Sequence, residues 1–276
     1  MKRIKITVVI LLCVAVMIQG CFFFGLFGKL GFVYLPKRVN TESVTDSGLV
    51  DPKEITSITI YDYKDFLKVR NSLKYCDKLL YFALDIYPDK RLKDIDFLEC
   101  FPKIESIVIS GESDDWSGIS ECKNITQLTI SNSNFSDLNY LKNLHKLDFM
   151  EIHTNSHIIC TEQVNLNSLD ILSIEAPSLD ISCFNTAINV TVLAVKSKNI
   201  YNYDEIRNMN CLKHLRFIGT DIDIENLKII SEIDSLEELD LTECVFSVGE
   251  EQLKNVLSGL YERKAEVKIN DCEFRE

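Results

Sequence analysis

A six-residue motif, apolar at its first, fourth and sixth positions, returns along most of the chain. Within residues 125–149 it reads Ile125-x-x-Leu128-x-Ile130, passes Phe135, Leu138 and Leu141, and restarts at Leu144-x-x-Leu147-x-Phe149. The close alternation predicts a short strand, and the apolar residues three apart predict a helical turn. The chain therefore turns once and lays a second strand beside the first. Further starts fall at Ile55, Leu79, Ile104, Leu169, Val190, Leu212 and Leu236, and a weaker last strand carries Val267 and Ile269. Spacings of 19 to 28 residues between starts are those of a solenoid with one strand per coil. Between strands, residues 63–76, 204–212, 224–233 and 249–260 carry apolar residues three or four apart and predict helical returns. Ser247-x-x-Glu250 reads as a capping box for the last of them. The shorter middle returns leave room only for extended chain or single turns.

These residues resemble the leucine-rich-repeat pattern L-x-x-L-x-L, and residues 125–149 most resemble the internalin-like subfamily of bacterial leucine-rich-repeat proteins. The resemblance implies an α/β leucine-rich-repeat solenoid, with a curved parallel sheet on the concave face and short helices or turns on the convex face. It also implies a protein-binding module, although a fold alone does not fix a function. The family pattern wants Asn or Cys three residues after the sixth position, where it satisfies backbone groups in the turn. Here Tyr63, Tyr87, Glu112, Ser133, Ile152, Pro177, Lys198, Thr220, Cys244 and Cys272 stand there, and only the last two fit. Irregular coils are therefore expected.

The N-terminus adds a location. Lys2, Arg3 and Lys5 precede an apolar run from Ile6 to Ile18, so residues 1–20 read as an export signal. Ile18-Gln19-Gly20-Cys21 resembles a bacterial lipobox, which implies a lipidated Cys21 and a body tethered to a membrane on its extracytoplasmic side. An uncleaved anchor within residues 7–35 and a cleaved secretory signal are the alternatives, and each places the body outside the cytoplasm. Residues 21–54 then hold the lipidated Cys and a polar tether. Residues 55–276 form the repeat domain of nine or ten coils.

Composition narrows the partner class. A net charge of −12 argues against a nucleic-acid surface, which needs clustered Lys and Arg. No Gly-rich phosphate loop, nucleophile elbow or H-E-x-x-H is present, so the chain is not read as an enzyme and no cofactor is implied. His214, Glu238 and Asp240 could meet on neighbouring strands, but no nucleophile accompanies them. His153-x-x-x-His157-x-x-Cys160 has metal-ligand types in what reads as a polar surface loop, and no metal site is assigned. Apart from Cys13 and Cys21, eight cysteines remain. Cys76, Cys100, Cys122 and Cys211 sit just before strand starts, as small buried apolar residues do. Cys244 and Cys272 fall on equivalent positions of adjacent coils, close enough to bridge but pointing in parallel.

In the motif, positions 1, 4 and 6 point into the coil, so positions 3, 5 and 7 face outward from the sheet. The first coils present mostly small and hydroxyl side chains there, with Tyr61 and Tyr81. The middle coils present Lys146, Met150, Ile171, Val192, His214, Arg216 and Ile218, a mixture that suits a protein interface. A structural cell-envelope protein without a specific ligand is the competing reading, and an unrecognised hydrolase stands behind it.

Overall fold

The structure, a computed structural model, describes residues 33–35, 39–40, 48–87 and 90–275. The export signal, the apolar run and Cys21 lie outside the described residues. Among the described residues no helix is long and apolar enough to cross a membrane.

One sheet of eleven strands runs the length of the molecule. Its strands are β1 (Val39–Asn40), β2 (Ser57–Ile60), β3 (Tyr81–Asp85), β4 (Ser106–Ser110), β5 (Gln127–Ser133) and β6 (Phe149–Thr154). They continue as β7 (Ile171–Glu175), β8 (Val192–Lys196), β9 (His214–Ile218), β10 (Glu238–Thr242) and β11 (Glu266–Asn270). From β2 to β11 each strand pairs in parallel with the next, one strand per coil. β1 joins the outer edge antiparallel, with Val39 opposite Ile60, and Val33–Leu35 pairs with Gly48–Val50. The segment expected to be a tether thus puts strands at the end of the solenoid. An uncovered first coil would leave a row of unpaired backbone groups, which β1 pairs instead.

The alternating pattern works as expected inside the coil. Ile55, Ile58 and Ile60 are fully buried, as are Ile104, Ile107 and Ile109 in the third coil and Leu169 and Leu172 in the sixth. Aromatic rings fill the wider first coils. Phe97 packs on both Phe66 and Phe82, at centroid distances of 5.0 and 5.4 Å, and Trp116 meets Phe135 edge-on at 5.5 Å.

Most strands are reached through the same pair of tight turns. In the first coil the Cys76 N–H donates to the Leu73 carbonyl at 2.9 Å, and the Leu79 N–H to the Cys76 carbonyl at 3.2 Å. In the third, Cys122 and Ile125 repeat this at 3.0 and 3.1 Å; in the fourth, Leu144 and Leu147 repeat it at 2.9 and 3.2 Å. Leu144 is therefore the counterpart of Cys76 and Cys122, three residues before a strand start. The fifth coil begins at Leu147. The register agrees, since Met150 lies opposite Leu128 and Leu172, and Phe149 opposite Gln127 and Ile171. The spacing on either side becomes 22 residues, from Ile125 to Leu147 and from Leu147 to Leu169.

Cys76 and Cys122 fill this turn position inside the core, as expected of repeat-locked thiols, whereas Cys100 and Cys211, one or two residues out of phase with it, are exposed. Burial pushes the Cys76 and Cys122 thiols up to about 12.

The returns vary with length. Helix α1 (Tyr63–Leu73) fills the first, α2 (Ile224–Ser231) the eighth, and α3 (Glu250–Val256) with α4 (Ser258–Glu262) the ninth. Residues 204–212, expected to be helical, form only the 3-10 turn Tyr203–Asn208. The expected capping box is not made. The N-cap of α3 is Gly249, and the Ser247 N–H bonds the Ile222 carbonyl at 3.3 Å because Val245–Phe246 pairs with Asp221–Ile222 in a small sheet on the return side. Asp carboxylates cap most of the other returns. Asp62 accepts from the Lys64 N–H at 2.7 Å, Asp137 from Asn139 at 2.9 Å, Asp180 from Ser182 at 2.9 Å and Asp223 from Asn226 at 2.8 Å. Part of the acidity is thus spent inside the repeat. Burial would raise the Asp180 carboxyl, but the Ser182 hydroxyl, the Asn202 amide and the Ser182 N–H outweigh it and hold that carboxyl below its ordinary range.

After β5 an asparagine serves the corner, Asn134 accepting from the Ser113 N–H at 3.0 Å and donating to the Ser113 carbonyl at 2.9 Å, and the later corners do without one. Short hydroxyls and thiols reach the carbonyls of the preceding coil: Thr154 Oγ1 donates to the Phe135 carbonyl at 2.7 Å and Thr220 Oγ1 to Ser197 at 2.8 Å. Cys244 Sγ reaches the Phe217 carbonyl at 3.5 Å and Cys272 Sγ that of Leu241 at 3.3 Å. Two corner lengths explain why this ladder is hidden in the sequence. In the fourth, eighth, ninth and tenth coils Asn132, Gly219, Glu243 and Asp271 take positive φ (48, 63, 56 and 52°) and add one residue before the buried Ser133, Thr220 and Cys244 and the half-buried Cys272. The fifth and seventh coils lack that residue, so Thr154 and Ser197 are buried one position earlier. These corners carry part of the expected irregularity, including one register shift between Ile152 and Thr154.

Candidate functional site

With the register set, the outward positions of β6 to β11 form three rows. The first runs Phe149, Ile171, Val192, His214 and Glu238, each opposite the next. The second runs Glu151, Ser173, Ala194, Arg216, Asp240 and Lys268, and the third His153, Glu175, Lys196, Ile218 and Thr242. Phe149, Ile171 and Val192 make a strip of three adjacent, partly exposed apolar side chains, with the small Ser173 and Ala194 beside it.

Charges border the strip. His153 Nε2 lies 3.3 Å from Glu151, His153 Nδ1 lies 4.0 Å from Glu175, and Lys196 Nζ lies 2.8 Å from Glu175. On the far side His214 Nδ1 is 3.0 Å from Glu238, Arg216 Nε is 3.2 Å from Asp240, and Lys268 bridges Glu238 and Glu266. The Lys268 ammonium and the His214 ring hold the Glu238 carboxyl below its ordinary range. These are solvent-facing pairs and contribute little to stability, but they fix where each charge stands.

Of the sequence-derived residues, Ile171, Val192, His214, Arg216 and Ile218 come together on this face. Met150 does not. It is fully buried, because the strand starts at Leu147 and Met150 takes the inward fourth position. Lys146 lies in the turn before β6, exposed, with Nζ bonding Asn124 Oδ1 at 2.8 Å. Phe149, Glu151 and His153 occupy the outward places of that coil. The equal 22-residue spacing from Ile125 through Leu147 to Leu169 is the signal that would have found them.

The imagined acid–base group is divided between ion pairs. His214 engages Glu238, while Asp240 is taken by Arg216 and by the Thr242 hydroxyl, 2.7 Å away. His153, His157 and Cys160 also separate: His153 joins the charged row, and His157 Nδ1 lies 2.6 Å from the Ser178 hydroxyl. Among the described residues no group of three His, Cys, Asp or Glu could hold a metal ion.

No protein-family model matches the chain, and no curated protein does. Solved structures do. A leucine-rich-repeat protein of Leptospira interrogans is similar with a TM-score of 0.51 and 14% identity, over 74% of this chain and 69% of that one. The fold is a leucine-rich-repeat solenoid. TLR13 in complex with a single-stranded RNA is similar at a TM-score of 0.50 and 20% identity, over 78% of this chain and 36% of that one. An internalin of Listeria monocytogenes is similar at a TM-score of 0.47 and 17% identity, over 85% and 86% of the two chains. At these identities the likeness concerns the leucine-rich-repeat solenoid alone.

Proposed function

We propose that this leucine-rich-repeat solenoid is a protein-binding module whose partner docks on the sheet face of the fifth to ninth coils. The observation that carries the reading is the apolar strip Phe149, Ile171 and Val192, exposed in register and rimmed by fixed charges. A small desolvated centre with a polar rim is the anatomy of a protein interface. In the first coils most of the same positions hold Ser57, Thr59, Ser106, Gln127 and Thr129, and the larger Tyr81 and Val108 stand apart in separate rows, with no comparable run of adjacent apolar side chains.

The paired change Ile171→Asp with Val192→Asp tests it. Neither side chain is fully buried, so folding should survive, which a thermal melt verifies. Capture of envelope proteins by the full chain should weaken at least tenfold, about 1.4 kcal/mol, while Tyr201→Asp on the return side leaves it unchanged. Equal capture by the paired variant would end the proposal.

We further propose that the chain is tethered at a membrane through a lipidated Cys21, on the support of the lipobox-like Ile18-Gln19-Gly20-Cys21 and the apolar run before it. Mass spectrometry of the mature N-terminus should then find diacylglycerol on Cys21. An intact Met1, or an unmodified N-terminus elsewhere, would refute the lipid anchor.

A further inference from the structure

The return of the fifth coil, residues 155–168, runs along the sixth coil and is tied to it at both ends. At one end His157 meets Ser178. At the other the Leu166 N–H donates to Thr186 Oγ1 at 3.1 Å, and the Thr186 hydroxyl donates to the Val164 carbonyl. Between these ties lie Cys160 and, in the 3-10 turn Ile181–Phe184, Cys183. The two partly exposed thiols interact side chain to side chain and line a single open cavity of ≈ 340 Å³ with Glu162, Ser182 and Asn185.

We infer that Cys160 and Cys183 form a disulfide that staples the fifth return to the sixth coil. The other neighbouring pair shows why the position matters. Cys244 and Cys272 each donate to a carbonyl one coil back, at 3.5 and 3.3 Å, so they are parallel copies and each already serves the corner ladder. A disulfide needs its two Cβ–S vectors to converge. Cys160 and Cys183 are not copies, because Ser182 is the residue one 22-residue spacing after Cys160. Neither thiol has a place in the buried ladder.

The bond forms by thiol–disulfide exchange with a small disulfide such as oxidised glutathione. Burial raises the Cys160 thiol, but hydrogen bonding to the backbone of Glu162 and Val164 opposes that rise. Burial, with the Cys160 sulfur next to it, pushes Cys183 up to about 12. Cys160 is therefore the entering nucleophile. Its thiolate attacks one sulfur of the reagent, the reagent's S–S bond breaks, and one glutathione leaves as thiolate. Cys183 then gives its proton to water, attacks the Cys160 sulfur and expels the second glutathione. Two protein thiols are oxidised and one external disulfide is reduced to two thiols.

The reduced full chain, incubated with oxidised glutathione, alkylated and mapped by mass spectrometry, tests this. The expected result is a linked pair of peptides carrying Cys160 and Cys183, with Cys244 and Cys272 alkylated. The oxidised chain should melt roughly 5 °C higher than the reduced one, and Cys183→Ser should retain glutathione on Cys160 with no such rise. Alkylation of both Cys160 and Cys183 in the oxidised wild type, glutathione left on Cys160, or a link only at Cys244–Cys272 would each overturn the inference. The wild-type map decides the matter even where the variant does not fold.

Discussion

Met150→Ala should lower the unfolding free energy by about 2–5 kcal/mol, the range for deleting a buried Met side chain. Lys146→Ala, four residues earlier, should change it by no more than about 0.5 kcal/mol. The contrast follows from one structural fact: Met150 is fully buried between Leu128 and Leu172, while Lys146 is exposed in the turn before β6. Each coil of a solenoid rests only on its neighbours, so a cavity in the fifth weakens two interfaces and invites the chain to part in the middle. Chemical denaturation of the two variants decides between the starts at Leu147 and Leu144. If Met150→Ala were as mild as Lys146→Ala, the strand would begin at Leu144 and the apolar strip would not exist.

Why the motif alone misplaces that strand is instructive. Leu141, Leu144 and Leu147 are three apart, and any of them can open an apparent L-x-x-L run. Two of them belong to the tight turns that precede the strand, where the first, second, third and sixth coils carry Cys76, Phe101, Cys122 and Ala187 and leave no leucine to count from. The architecture tolerates such local error, because nine starts at similar spacing still specify parallel stacking. The outward rows do not tolerate it. A shift of three residues changes the parity and exchanges inside for outside, which sent Met150 to the surface and Phe149 to the core.

Other features were never legible from single positions. The corner ladder depends on whether the residue before it takes positive φ, as Asn132 and Glu243 do, and Glu is a poor advertisement for that conformation. The meeting of Cys160 with Cys183 depends on the path of an irregular return. By contrast His214, Arg216 and Ile218 were legible, since Leu212, Leu215 and Phe217 match the motif without a competing frame.

Gly118→Ala is expected to cost about 3 kcal/mol, at the upper end for overpacking, although alanine is the better residue for most turns of helix. Gly118 sits in the 3-10 turn Ser117–Glu121, packed on the preceding return. A methyl group there would stand 2.5 Å from the Ile95 carbonyl oxygen and 2.8 Å from its carbon. Those are backbone atoms that also anchor the turn Asp96–Cys100, so relief requires the third coil to move away from the second. Gly259→Ala supplies the comparison. In helix α4 its added methyl meets nothing nearer than the Arg263 guanidinium at 3.6 Å, and the change should stabilise by roughly 0.5–1 kcal/mol. Thermal midpoints of the two variants should therefore move in opposite directions. An unshifted midpoint for Gly118→Ala would mean that the second and third coils are not packed backbone against backbone, and that their spacing can open by the width of a methyl group without loss.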